Sequence, residues 1–175
     1  MNKNLKHLIG LSAMLVTMSV FTATPIWSQG PLGRQFGFGI TLGDPLGGTI
    51  KYWTAPDQAL VADIGSDYFG SPRIDFDYYW HFNAFRSNVV KLYAGPGLAA
   101  GFGNGNYYLW YGHGHDYYFI RNEGGTGIGV HVLIGIDIIP HNSPIELYVQ
   151  LGLLIGITPA FGASLDAALG IRFYP

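Results

Sequence analysis

Apolar and polar residues alternate with a period of two along most of this chain. In the clearest stretch, one set of alternate positions holds Ile74, Phe76, Tyr78 and Trp80, and the other holds Arg73, Asp75, Asp77, Tyr79 and His81. Successive side chains of a β-strand point to opposite faces, whereas a helix would scatter these residues around its axis. The pattern therefore predicts a strand with one apolar face and one polar face.

The same alternation recurs in further segments. Together they span residues 36–42, 49–53, 60–64, 73–81, 90–100, 128–138, 145–155 and 165–174. Turn-forming residues separate them, as in Gly43-Asp44-Pro45, and the longest connection covers residues 103–123. Pro96 lies within the fifth segment and cannot donate to a strand ladder, so we expect a bulge or local kink there. The pattern predicts an all-β fold of about eight antiparallel strands.

Residues 1–28 have the pattern of a cleaved export signal. Lys3 and Lys6 give a basic start, residues 8–21 form an apolar run, and small and polar residues follow. The run is shorter than the ~20 residues of a membrane-spanning helix, which disfavours a retained anchor. We expect cleavage near Ser28, with Ala23 as the alternative. The predicted organisation is a signal peptide at 1–28 and one domain at 29–175.

The composition indicates which face of the strands contacts lipid and which face lines the lumen. Charged residues make up 11% of the sequence, against roughly 25% in soluble domains, and this is too little to coat a solvated exterior. The polar face is small and rich in glycine, which suits the cramped lumen of a small barrel. No segment after the leader has 18 unbroken apolar residues, so an embedded chain must be a closed barrel. We predict a closed antiparallel transmembrane β-barrel with its apolar face toward lipid.

The composition also excludes several classes of function. The chain has no cysteine, which excludes disulfides, thiolate metal sites and a cysteine-linked lipid anchor. A formal net charge of −2 without a basic stripe argues against nucleic-acid binding. Glycines 125, 127 and 129 lie on a predicted strand with no helix after them, so they do not form a phosphate-binding loop. We expect no cofactor and no resident metal.

Three segments resemble those of the small eight-stranded outer-membrane barrels, among which the membrane domain of outer membrane protein A is the familiar example. They are residues 39–45 (GITLGDP), 144–147 (PIEL) and 165–174 (LDAALGIRFY). The chain is most similar to uncharacterised bacterial barrels of this group, and the resemblance covers residues 35–174. It implies an outer-membrane location and no defined activity.

Two groups of charged residues are predicted to face the lumen. The first lies toward the periplasmic end and consists of Lys91, Asp137, Glu146 and Arg172. The second lies higher in the barrel and consists of Lys51, Asp63, Arg73, Asp75 and Asp77. Because buried charges are normally paired, we interpret both groups as salt-bridged plugs; a gate is the alternative for the first.

Other residues carry weaker signals of chemistry. His141, Ser143 and Glu146 superficially resemble a hydrolase triad, but geometry decides a triad and sequence order does not. In the long connection, imidazole and carboxylate groups could bind a transition metal, although solvated loop residues are the simpler interpretation. The surface-loop candidates are Trp110, His113, His115 and Asp116.

The sequence thus predicts an outer-membrane barrel with a structural or surface-interaction role and no catalytic residues. Its predicted partners are outer-membrane lipid and an extracellular partner reached through residues 103–123, and we expect a monomer. A narrow pore is the first alternative, and a lipid-modifying enzyme is the second.

Overall fold

The computed structural model describes residues 30–103, 105–109, 117–121, 125–158 and 161–175. The predicted signal peptide, residues 1–28, lies outside the described residues, and so do the loop candidates Trp110, His113, His115 and Asp116.

Eight described strands form one closed barrel. They are β1 (Phe36–Gly43), β2 (Leu46–Ala55), β3 (Gln58–Ser66), β4 (Arg73–Phe82), β5 (Val90–Gly101), β8 (Gly127–Ile138), β9 (Ile145–Thr158) and β10 (Gly162–Phe173). Each strand pairs antiparallel with its neighbours, in the order β1-β10-β9-β8-β5-β4-β3-β2. The all-β closed antiparallel barrel predicted from the sequence is confirmed.

The two ends of the barrel differ in their connections. The start of β1 and the end of β10 lie at one end, here called the terminal end, where a 3-10 turn at Pro31–Gly33 precedes β1. From the opposite end a hairpin of β6 (Gly105–Leu109) and β7 (Tyr117–Arg121) continues beyond the barrel strands, and we call this the hairpin end. The sequence pattern did not predict this hairpin. Among the described residues, no helix is long and apolar enough to cross a bilayer.

The barrel is apolar outside and polar inside. Outward side chains such as Phe76 and Val132 are each 61% exposed, whereas the inward charges Lys51, Asp137 and Arg172 are 0% exposed. Burial alternates residue by residue along β8, and along β10 from Leu165 onward. A soluble barrel would have the reverse arrangement, and an apolar exterior around fully paired strands is what lipid requires.

Several lumen glycines lie beneath a large side chain of a neighbouring strand. Gly135 pairs with Tyr93, and a Cβ on it would lie 2.4 Å from the tyrosine ring and 2.6 Å from the Val149 carbonyl oxygen. Gly170 lies under Tyr148 in the same way, at 2.4 Å. Glycine thus gives space to aromatic rings that fill the lumen, a known way of covering glycine in sheets.

Of the bulge or local kink expected at Pro96, the structure shows no bulge but a local gap in the β4–β5 ladder. The β4–β5 pairs Asp77↔Gly97 and Trp80↔Ala94 keep one register on either side of it, and only the pairs between them are lost. On its other side Pro96 stays paired with Val132 of β8. Because proline lacks a donor on one edge only, it costs ladder bonds on that edge without inserting an extra residue.

Candidate functional site

The terminal end of the lumen holds a network of buried ion pairs. The Nζ of Lys51 lies 2.5 Å from Asp137 Oδ2 and 3.2 Å from Glu146 Oε1. Arg172 NH1 lies 2.7 Å from the same Glu146 oxygen, and Arg172 and Glu146 are directly paired across β10 and β9. All four side chains are fully buried. We call these residues, with His81 and Lys91, the terminal-end network.

Hydrogen bonds complete this network. Tyr174 Oη donates to Glu146 Oε2 at 2.7 Å, and Trp53 Nε1 donates to Tyr174 Oη at 3.1 Å. His81 Nε2 lies 3.0 Å from Asp137 Oδ2. The Nε and NH2 groups of Arg172 both donate to the Thr49 hydroxyl, at 3.1 and 3.0 Å. The network therefore ties β2, β4, β8, β9 and β10 together across the lumen.

The sequence-based grouping of the lysines needs a correction. The strand pattern predicts Lys51 beside Arg73 higher in the barrel, but it lies in the terminal-end network because it pairs with Gly37, close to the start of β1. Lys91 stands directly opposite Asp137 as expected, but its Nζ lies 5.2 Å above the Trp53 ring. Lys51 contacts both Asp137 and Glu146 because its side chain reaches across the narrow lumen.

A second network, the hairpin-end network, surrounds Arg73. Its Nε lies 2.8 Å from Asp75 Oδ1 and its NH2 lies 2.8 Å from Asp166 Oδ2, while NH1 contacts Asp67. Tyr68 Oη donates to Asp166, and burial with the nearby carboxylate raises the pKa of Tyr68, so the phenol remains a donor. One guanidinium therefore binds three carboxylates.

The strand pattern did not predict that two of these carboxylates, Asp67 and Asp166, would contact Arg73. Asp166 lies on the polar face of β10, and its pairing with Gly152 places it at the hairpin end, but strand phase alone does not reveal the distance to Arg73. Asp67 belongs to the β3–β4 connection, where no periodic signal exists.

Asp77 and His131 meet across a glycine. Gly97 of β5 pairs with Asp77 of β4 on one side and with His131 of β8 on the other. His131 Nε2 and Asp77 Oδ1 approach to 2.5 Å, although without the angles of a hydrogen bond. A Cβ on Gly97 would lie 1.8 Å from the aspartate oxygen and 2.0 Å from the histidine nitrogen. The contact between Asp77 and His131 is possible because Gly97 has no side chain.

Between the two networks the lumen is filled by Val61, Tyr79, Tyr93 and Leu133, which form one buried cluster. The Tyr79 and Tyr93 rings stack at 4.6 Å. The Tyr93 hydroxyl donates to Gln150 Oε1 at 2.9 Å, and the Tyr79 hydroxyl lies between Asp77 Oδ2 at 3.2 Å and Gln150 Oε1 at 3.4 Å. We call these four residues the central constriction. Their packing and hydrogen bonds fix the rings across the lumen axis.

The possible hydrolase residues do not form a triad. His141 is exposed in the β8–β9 turn, whereas Glu146 is buried in the lumen and contacts Lys51, Arg172 and Tyr174. No hydrogen bond joins His141, Ser143 and Glu146, all of which are described. Within the described side chains, no three His, Asp or Glu residues converge as metal ligands.

Comparison with known proteins supports the fold. No protein-family model matches the chain, and no curated protein matches it significantly. Among solved structures, it is similar to the N-terminal β-barrel domain of Pseudomonas aeruginosa OprF, with a TM-score of 0.54 and 17% sequence identity. The match covers 80% of this chain and 94% of that chain. The similarity supports the small closed β-barrel fold.

Proposed function

We propose that this protein is an integral outer-membrane barrel with a structural or surface-interaction role, whose lumen is closed at rest and carries no catalysis. The central constriction is the observation on which this proposal depends. Two stacked tyrosines, held by Gln150 and flanked by Val61 and Leu133, occupy the lumen between two ion-paired networks. Side chains fill barrels of this size, which supports a closed lumen.

The orientation follows from the lengths of the connections. Barrels of this class have short periplasmic turns and longer extracellular loops. We therefore assign the terminal end to the periplasm and the hairpin end to the cell exterior. A partner outside the cell would then bind residues 103–123. The protein would be a monomer whose outward apolar side chains contact outer-membrane lipid.

Planar-bilayer recording tests the closed lumen. The unmodified protein should give no steady conductance, whereas Tyr79→Ala combined with Tyr93→Ala should conduct because the constriction loses both rings. Tyr78→Ala is the matched control, since Tyr78 lies on the same strand but on the outward face. Steady conductance from the unmodified protein would overturn the proposal.

Labelling of intact cells tests the orientation. The chain has no cysteine, so a single introduced cysteine is the only thiol that can react. Gly114→Cys, in the connection between β6 and β7, should react with an impermeant maleimide on intact cells. Asn88→Cys, in the β4–β5 connection, should react only after the membrane is opened. The reverse pattern would invert the assignment.

The second candidate is a narrow pore, and the charged groups that line both ends of the lumen favour it. In that case the two networks would rearrange to admit ions, and the unmodified protein would conduct in the recordings above.

A further inference from the structure

A groove runs around the outside of the barrel, and its walls are two parallel rows of outward side chains. Its volume is about 790 Å³, which is within the range of small-molecule sites. The row on the hairpin side consists of Ile50, Ala62, Phe76, Leu98, Val130 and Ile155. The row on the terminal side consists of Phe36, Tyr52, Leu60, Tyr78, Pro96, Val132 and Leu153. We call this feature the outer groove.

The register between strands explains why the two rows are parallel. Neighbours within a row share one register, as in the pairs Ile50↔Ala62 and Ala62↔Phe76. Between the rows lie residues whose side chains face the lumen, so that their backbone forms the floor. These residues are Lys51, Val61, Asp77, Gly97 and His131. The outer groove therefore follows the hydrogen-bonding direction across six barrel strands, from β2 to β9.

The outer groove is oblique to the bilayer. Barrel strands tilt by about 35–45° from the membrane normal, so a path perpendicular to them tilts by about 45–55°. Five strand spacings of about 4.8 Å give a path of about 24 Å, which at this tilt rises by about 15 Å. Because the hydrocarbon core of a bilayer is about 30 Å thick, the outer groove spans the depth of about one leaflet.

The lower end of the outer groove lies at the terminal end of the barrel. Tyr52 is three residues before the end of β2, whereas Leu153 is eight residues after the start of β9. Polar groups surround this lower end: Tyr52 Oη donates to Gln35 Oε1 at 3.4 Å, and Tyr78 Oη donates to Gln58 Oε1 at 2.6 Å. Each glutamine still has its amide nitrogen as a donor, and outward tyrosines are typical of a membrane interface. This end therefore suits a headgroup with ester and phosphate oxygens.

The shape of the outer groove favours a flexible chain over a second barrel. It wraps around six of the eight barrel strands. A second barrel is itself convex and would touch only the tops of the side chains that form the walls. A hydrocarbon chain can follow the curve and make dispersion contacts along the whole path.

We propose that the outer groove is a specific lipid site, which holds one acyl chain of a glycerophospholipid whose headgroup lies at the terminal end. That end is assigned above to the periplasm, and the periplasmic leaflet of an outer membrane consists of glycerophospholipids. The proposal rests on the proposed membrane location, and it gives the general contact with lipid a defined site.

Native mass spectrometry of the detergent-solubilised protein, titrated with palmitoyl-oleoyl phosphatidylethanolamine, tests the proposal. The unmodified protein should bind one phospholipid at a much lower lipid concentration than any further one. Ala62→Trp places an indole against the floor of the outer groove and should weaken this first binding by about tenfold or more. Ala167→Trp is the matched control, since Ala167 is exposed on the outward face of β10, and it should leave the binding unchanged.

A second pair of variants repeats the comparison on β8. Val132 and Ile136 lie on the outward face of that strand, and Val132 is the one of the two that lines the outer groove. Val132→Trp should therefore weaken the first binding, and Ile136→Trp should not. Faster migration on an unheated gel shows that each variant is folded.

Equal binding by the groove variants and their controls would overturn the proposal, and so would the lack of a distinct first phospholipid. A dimer that Ala62→Trp dissociates would assign the outer groove to a second copy and would overturn it as well. Tighter binding of lipid A than of phosphatidylethanolamine would also overturn it. Recovery of the protein in the soluble fraction would instead overturn the membrane location.

Discussion

At the scale of single residues, this barrel depends on glycines that leave space for larger neighbours. Gly135 and Gly170 lie under tyrosine rings, and Gly97 lets Asp77 meet His131. The sequence places these glycines on the inward face by strand phase alone. It does not show which ring covers which glycine, because that depends on the register between strands distant in sequence.

Gly135→Ala should therefore destabilise the barrel by about 1–3 kcal/mol, the usual cost of overpacking. The added Cβ would lie 2.4 Å from the Tyr93 ring and 2.6 Å from a backbone oxygen, so one of them must move. Gly48→Ala is the matched control, since the nearest atoms would be 3.9 Å away. Urea unfolding in lipid vesicles measures both variants, and equal stability would contradict the packing described.

The pairing of Arg172 with Glu146 gives a second prediction. Arg172→Ala leaves a fully buried carboxylate with one cation fewer, which should cost about 3–5 kcal/mol. Adding Glu146→Ala should restore part of that loss, because the uncompensated charge is then gone.

A double-mutant cycle of unfolding free energies measures this coupling. Losses that simply add would show that the two side chains do not interact.

At the scale of the element, the alternation of apolar and polar residues predicts the presence of each barrel strand better than the residues at which it begins and ends. β2 begins at Leu46 and ends at Ala55, beyond the predicted 49–53, because Gly47 and Gly48 look like turn residues although they pair with β1. The β6–β7 hairpin was missed because the long connection shows no clean alternation. Pro96 stays in a regular register because its missing donor affects one edge only.

The outward face of β8 can be tested with Ile134, which is 52% exposed on the lipid side. Ile134→Arg should cost about 2–4 kcal/mol if the residue lies near the bilayer midplane. Phe85→Arg is the control, because Phe85 is equally exposed but lies in the β4–β5 connection. Unfolding in vesicles should separate the two variants, and equal tolerance would mean that this face does not contact lipid.

At the scale of the whole molecule, closure of the sheet removes every edge of the barrel strands. β1 pairs with β10, so the first and last strands complete the ring, and their backbone groups are satisfied without water. The buried networks then add contacts across the lumen between strands that are not neighbours in the sheet.

A closed barrel should therefore migrate faster on an unheated gel than after boiling, because it has no edge at which to begin to unravel. The membrane fraction should contain the protein, and detergent should be needed to extract it. Recovery in the soluble fraction would contradict the membrane assignment.

The sequence by itself determined the eight strands of the barrel, its closure and the facing of their side chains, because a period of two is a local property of an extended backbone. It also marked most of the charged residues that face inward. The tertiary structure alone decided their partners: Lys51 binds Asp137 and Glu146, and Asp67 and Asp166 join Arg73. The physical reason is that the position of a residue in a strand determines only whether its side chain faces the lumen or the lipid. Its partners inside the barrel depend on the register between strands and on how far the side chain extends across the lumen.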